Sequence, residues 1–205
     1  MGRSGRSFVP NPLISKEEDP ERLIRLVADK LDNFDPINVA TAFSKFGKLS
    51  GHRSFPRNIA ADDGFRGLLM LARDMCAEGR LQAQAVANII HAVSQMSEAG
   101  KLAAADARVQ DALRALEQRV VRVAPDMDPQ NAANIWWAYA KLERMPGDLA
   151  RAALEAAVVR VGPDMNGQDV ANSWWAYATL EQEPGCEARA ALEAAVARVG
   201  PGMNA

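Results

Sequence analysis

A chain of 205 residues is long enough for one sizeable domain or a run of small repeated units. With 48% hydrophobic and 24% charged residues it has the composition of a folded globular protein, not of a disordered or collagen-like one. The net charge of −2 lacks the broad basic excess of a strong phosphate binder, and the longest apolar run, Ile135 to Ala140, is far short of the roughly 20 residues a membrane helix needs.

The charge is unevenly spread. Residues 1–58 carry 10 Lys/Arg against 7 Asp/Glu, 59–127 carry 8 against 9, and 128–205 carry 6 against 10. The first 15 residues hold Arg3 and Arg6, several serines, two prolines and no acid, and read as a flexible tail. A short Arg/Ser-rich stretch of this kind also resembles an organelle-targeting remnant. Asp19-Pro20 and Asp35-Pro36 are helix-start signals, an N-cap followed by proline at the first helical position. Asp62-Asp63 reads as starting charge for a helix around 65–78. Lys45, Lys48, Arg53 and Arg57 are where a basic patch is expected.

Further along, the sequence repeats itself. Asn131–Asn166 lies over Asp169–Asn204 at a constant offset of 38: Trp136-Trp137 falls on Trp174-Trp175, Tyr139 on Tyr177, and Pro146-Gly147 on Pro184-Gly185. Arg151 falls likewise on Arg189, Leu154-Glu155 on Leu192-Glu193 and Arg160 on Arg198. Val86–Met96 matches Ala132–Leu142 at offset 46, which places an insertion of about eight residues around Glu98–Ala104. Val39–Leu49 matches Val86–Met96 at offset 47. Periods of this size indicate stacked supersecondary units.

Each unit reads as two helices. In the third, Asp128 caps and Pro129 opens the first helix, and Ala132, Ile135, Trp136, Tyr139 and Leu142 recur at three- and four-residue spacing. Ala133, Trp137 and Ala140 form a second stripe, so this helix is expected to lie between neighbours. Pro146-Gly147 ends it, Asp148 is expected to cap an alanine-rich helix over 148–161, and Gly162-Pro163 stops that one. The expected fold is all-α: an α-solenoid of stacked helical hairpins, about nine helices in four to five units, with no strands. Residues 1–15 form the tail, 16–104 divergent repeats, and 105–205 regular 38-residue repeats. The next tryptophan pair falls due at 212–213, beyond Ala205, so the last second helix is expected to lack a successor.

Asn134-Ile-Trp-Trp-Ala-Tyr-Ala-Lys-Leu142 and Asn172-Ser-Trp-Trp-Ala-Tyr-Ala-Thr-Leu180, 38 residues apart, resemble the octotricopeptide-type repeats of algal organelle proteins. They are also similar to the helical repeats that precede a RAP domain in FAST-kinase-like proteins. The resemblance implies RNA binding in a chloroplast or mitochondrion, acting on transcript stability, processing or translation. It covers roughly residues 20–204.

Several rows of residues could meet a ligand. Thr41, Asn88, Asn134 and Asn172 occupy one position in the four units, where an amide can both donate to and accept from a base edge. The same row could instead satisfy backbone groups between units. Asn131 and Asp169, one turn earlier, vary more and are the better candidates for specificity. The tryptophans could stack bases, but their place on apolar stripes with Ala, Ile and Tyr points to core packing. Arg151 and Arg189 stand four residues before Glu155 and Glu193 and are expected to pair with them. Arg160 and Arg198 have no acid at that spacing and are the freer row for a phosphate backbone.

No catalytic constellation, phosphate loop or metal-ligand spacing is present, and no cofactor is expected. Cys76 and Cys186 read as reduced thiols. The sequence thus leads to a binding protein whose partner is single-stranded RNA, or alternatively a protein or peptide held on a scaffold, with no membrane partner. The expected compartment is a chloroplast or mitochondrion by the resemblance, and otherwise the cytoplasm.

Overall fold

A computed structural model describes residues 9–200, and among them every regular element is helical. Ten α-helices follow in order: α1 Asn11–Ser15, α2 Pro20–Lys30, α3 Pro36–Leu49, α4 Asp63–Ala77, α5 Ala83–Glu98, α6 Ala107–Val123, α7 Pro129–Lys141, α8 Asp148–Val161, α9 Gly167–Thr179 and α10 Cys186–Val199. None is long and apolar enough to cross a membrane. The odd-numbered helices pack on one another in chain order, and so do the even-numbered ones. The described residues therefore build four helical hairpins, α3/α4 to α9/α10, preceded by α1 and α2, in two layers with the core between them.

Local chemistry explains the boundaries. Asp19, Asp35 and Asp128 each accept a backbone N–H from the first turn of α2, α3 and α7, with proline next in line. Asp62 does the same for α4, where Asp63 is the first helical residue.

The tenth helix is α1, in the stretch expected to be a flexible tail. Val9 and Ile14 are buried, and the Asn38 amide donates to the Val9 carbonyl at 3.2 Å. Two buried apolar anchors and a buried hydrogen bond hold this short segment against α3. The part of the expected tail over residues 1–8, and the Pro201–Ala205 end of the last repeat, lie outside the described residues.

The expected insertion near Glu98–Ala104 is spread over the whole second unit. α5 has 16 residues against 13 in α7, and α6 has 17 against 14 in α8. The loop between them runs over 99–106, against 142–147 in the next unit. The added residues continue the packed stripe, with Met96 of α5 and Val109 of α6 buried.

Core composition changes along the chain. In the N-terminal half Phe43, Phe46, Phe55 and Phe65 meet edge-on with centroids 5.4 to 6.3 Å apart. In the C-terminal half Trp136 is fully buried and lies 4.4 Å from Tyr177. Elsewhere small residues let backbones approach. A Cβ at Gly47 would lie 3.0 Å from the Ala92 Cα and closer still to the Gln95 side chain, so glycine lets α3 and α5 pack here without a shift.

Candidate functional site

The two tryptophans of each Trp-Trp pair, about 100° apart around a helix, go to different environments. Trp136 is core and Trp174 is half-buried. Trp137 and Trp175 turn instead to the open side of the first-helix layer, where Trp175 is 40% exposed. The expectation of core packing therefore holds for Trp136 and fails for Trp175, because periodicity alone does not say which of two adjacent stripes has a neighbour.

Trp137 and Trp175 continue a row. His91 on α5 lies 4.8 Å from the Trp137 ring, and Trp137 lies 6.3 Å from Trp175. Lys141, one turn beyond Trp137, places its Nζ 5.3 Å from that ring and 5.1 Å from the Trp175 ring. The same ammonium pairs with Glu98 at 2.5 Å. Burial pushes the His91 pKa down, which favours the neutral ring in the stack.

Three residues before the row stand Asn88, Asn134 and Asn172, with Thr41 in the equivalent place on α3; all four are half-buried. A spacing of three puts each on the same helix face as its aromatic neighbour. Thr41 and Asn88 line one shallow groove between α3 and α5, with Ile37 and Arg80 at its edges. Glu98, Lys141, Trp175 and Thr179 line a second, of about 460 Å³. The open side of the first-helix layer thus carries an amide row beside an aromatic row, with a lysine over the rings.

The other candidate rows do not join this face. Asn131 and Asp169 are each 6% exposed at the third residue of α7 and α9. The Asp169 carboxylate accepts the Asn166 N–H at 3.0 Å, and the Asn166 side chain accepts the Asp169 N–H at 3.0 Å. Asn38 and Asp35 make the same reciprocal cap on α3. Helix starting, not ligand choice, accounts for Asp169, and Asn131 shares its position.

Arg160 and Arg198 are not free. Arg160 Nη2 donates to the carbonyls of Ala124 at 3.1 Å and Met127 at 2.5 Å. Arg198 Nη2 donates to Gly162 at 3.3 Å and to Met165. Arg119 does the same to Gly79 at 2.8 Å and, through Nε, to Leu81 at 2.7 Å. Each guanidinium ties its second helix to the turn that ends the preceding unit, where helix-terminal carbonyls need donors. The Gly/Ala-Pro turn, recurring with an arginine at a 38-residue period, was the available signal.

Two further expectations change. Arg189 pairs with Glu193 at 3.0 Å as the spacing implies, but Glu155 accepts the Gly185 N–H at 3.3 Å. Lys45 is withdrawn from the basic patch: it is 9% exposed and pairs with Glu18 at 3.6 Å, while Lys48, Arg53 and Arg57 remain exposed. Cys76 and Cys186 are free thiols, the first buried and pushed up to about 12 by desolvation. Among the described residues no group of three or more His, Cys, Asp or Glu is placed to hold a metal ion.

No family model matches the sequence. A search among curated proteins finds no match either.

Proposed function

We propose that this chain is a non-catalytic α-solenoid that holds single-stranded RNA along its first-helix layer. The observation that carries the reading is the row of half-buried His91 and Trp137 and exposed Trp175 beside the amide row of Asn88, Asn134 and Asn172. Unpaired bases stack on aromatic faces, amides meet base edges, and Lys141, by exchanging its Glu98 partner for phosphate, supplies a cation for the backbone. The resemblance to octotricopeptide-type repeats supports a role in transcript stability, processing or translation in a chloroplast or mitochondrion.

A protein-binding scaffold is the second reading. The excess of acid over residues 128–205 and the engagement of Arg160 and Arg198 in turns favour it. Exposed aromatics serve such interfaces as well.

Fluorescence anisotropy with a degenerate single-stranded RNA pool, titrated at several salt concentrations, separates the two. Saturable binding that weakens with salt is expected. Trp175→Ala is expected to cost about 1–3 kcal/mol, and Lys141→Glu to flatten the salt dependence by about one phosphate contact. Absence of saturable binding at low salt would overturn the RNA reading and leave the scaffold.

A further inference from the structure

The second-helix layer carries a feature that the proposed RNA face does not use. Between α4, α6 and the start of α8 runs an open groove of about 620 Å³. Arg73, Ala115, Arg119, Arg122 and Leu149 contribute to its wall. Its one lining carboxylate, Asp74, is held by Arg73 at 2.8 Å.

Two departures from the repeat meet at this groove. Arg122 is the equivalent of Arg160 and Arg198, both of which bind the carbonyls of the preceding turn. In this unit Arg119, one helical turn earlier, makes those bonds instead. Arg122 is thereby released: it is exposed and has no hydrogen-bond or ion-pair partner among the described residues. The second departure is Leu149, which is 77% exposed on α8, where the next unit has the exposed Glu187. The equivalent position on α6 is likewise an exposed acid, Asp111, so α8 presents a large apolar side chain where both neighbouring second helices present a carboxylate.

We propose that this groove is a docking site for an acidic peptide segment that carries apolar side chains. The carboxylates would meet Arg122 and the unengaged edges of Arg73, while the apolar residues cover Leu149, Ala115 and Val121. Charge selects the occupant: the only acid in the lining is already paired, so a basic segment finds no counter-charge and an acidic one does. The exposed leucine makes the interaction amphipathic, as an anchor in a polar rim requires. This inference stands independently of RNA binding, because the groove lies on the other helix layer.

A fluorescein-labelled peptide of Glu-Glu-Leu-Leu repeats is titrated with the full chain, alongside Lys-Lys-Leu-Leu and Glu-Glu-Ser-Ser controls. Saturable binding of the first peptide is expected, with both controls roughly tenfold weaker. Arg122→Glu and Leu149→Ser, both exposed and expected to leave the helical circular dichroism and the melting temperature unchanged, each weaken it by a similar factor. Failure of the acidic peptide to saturate, or equal affinity in Arg122→Glu, overturns the proposal. So does concentration-dependent dimerisation in sedimentation that Arg122→Glu abolishes, since the groove then takes a second copy of this chain.

Discussion

Glu143 and Glu181, just past the ends of α7 and α9, hold φ of 49° and 53°, in the left-handed region where a Cβ crowds the following carbonyl. After α5 the same turn is made by Gly100, at φ 66°. Glycine adopts this conformation without that crowding, although it also has more freedom to lose on folding. Glu143→Gly and Glu181→Gly should each stabilise the fold by about 0.5–1 kcal/mol in urea unfolding. Gly100→Ala should lose a comparable amount even though a methyl group there has open space around it, because the cost lies in the backbone. If the two glutamate replacements leave the unfolding midpoint where it was, left-handed strain is not what distinguishes these turns. At this scale the sequence was legible in register but not in direction. Asn131 and Asp169 varied between units and so looked like readers, yet a position three residues into a helix has capping work of its own.

Among elements, the joints between units depend on contacts far apart in sequence. Gly147 and Gly185 stand at the N-cap positions of α8 and α10 and have no side chain to cap with; Asp148, expected as a cap, is the first helical residue of α8. Glu117 on α6 accepts the Gly147 N–H at 3.0 Å, and Glu155 on α8 accepts that of Gly185 at 3.3 Å. A carboxylate at a helix N-terminus also meets the positive end of the helix dipole. Glu117 carries more than this cap. It accepts the Tyr139 hydroxyl at 3.2 Å and Arg144 at 3.0 Å, so its loss strands a buried phenol and a half-buried guanidinium. Burial, reinforced by the Glu117 charge, pushes the Tyr139 pKa up and keeps that hydroxyl a donor. Glu117→Ala is therefore expected to cost about 2–3 kcal/mol in urea unfolding, and Glu155→Ala about 1 kcal/mol. A loss below about 0.5 kcal/mol for Glu117→Ala would show that the joint does not rest on it. Helix periodicity, caps and the 38-residue repeat were readable because they arise from neighbours along the chain. The acceptor role of Glu117 and Glu155 and the donor role of Arg160 and Arg198 were not, since their partners lie 22 or more residues away. The aromatic row was visible as positions 91, 137 and 175, but its exposure depends on which stripe the packing leaves open.

Over the whole molecule, hairpins that mainly touch their sequence neighbours make stability a local quantity, the sum of each unit and its joints. Those local sums differ along the chain. α3 buries eight residues, including Phe43 and Phe46, whereas α10 buries only Ala188, Leu192 and Ala195. At roughly 25 cal/mol per Å² of apolar surface, phenyl rings against methyl groups amount to several kcal/mol of difference between the two ends. The chain should therefore open from the C-terminal hairpin before its phenylalanine-rich part unfolds. Native-state hydrogen exchange with increasing denaturant should show α9 and α10 amides exchanging at a lower free energy than those of α3 and α5. One common opening energy for all four helices would mean that the joints couple the units too strongly for any hairpin to open alone. The order has a functional consequence: Trp175 sits on the less stable α9, while Asn88 and His91 sit on the firmer α5. A ligand lying along the whole row would tie the loose end to the firm one. Single-stranded RNA that spans both should accordingly slow exchange in α9 and α10 more than in α5, because bound-state stabilisation shows most where the free protein opens most readily.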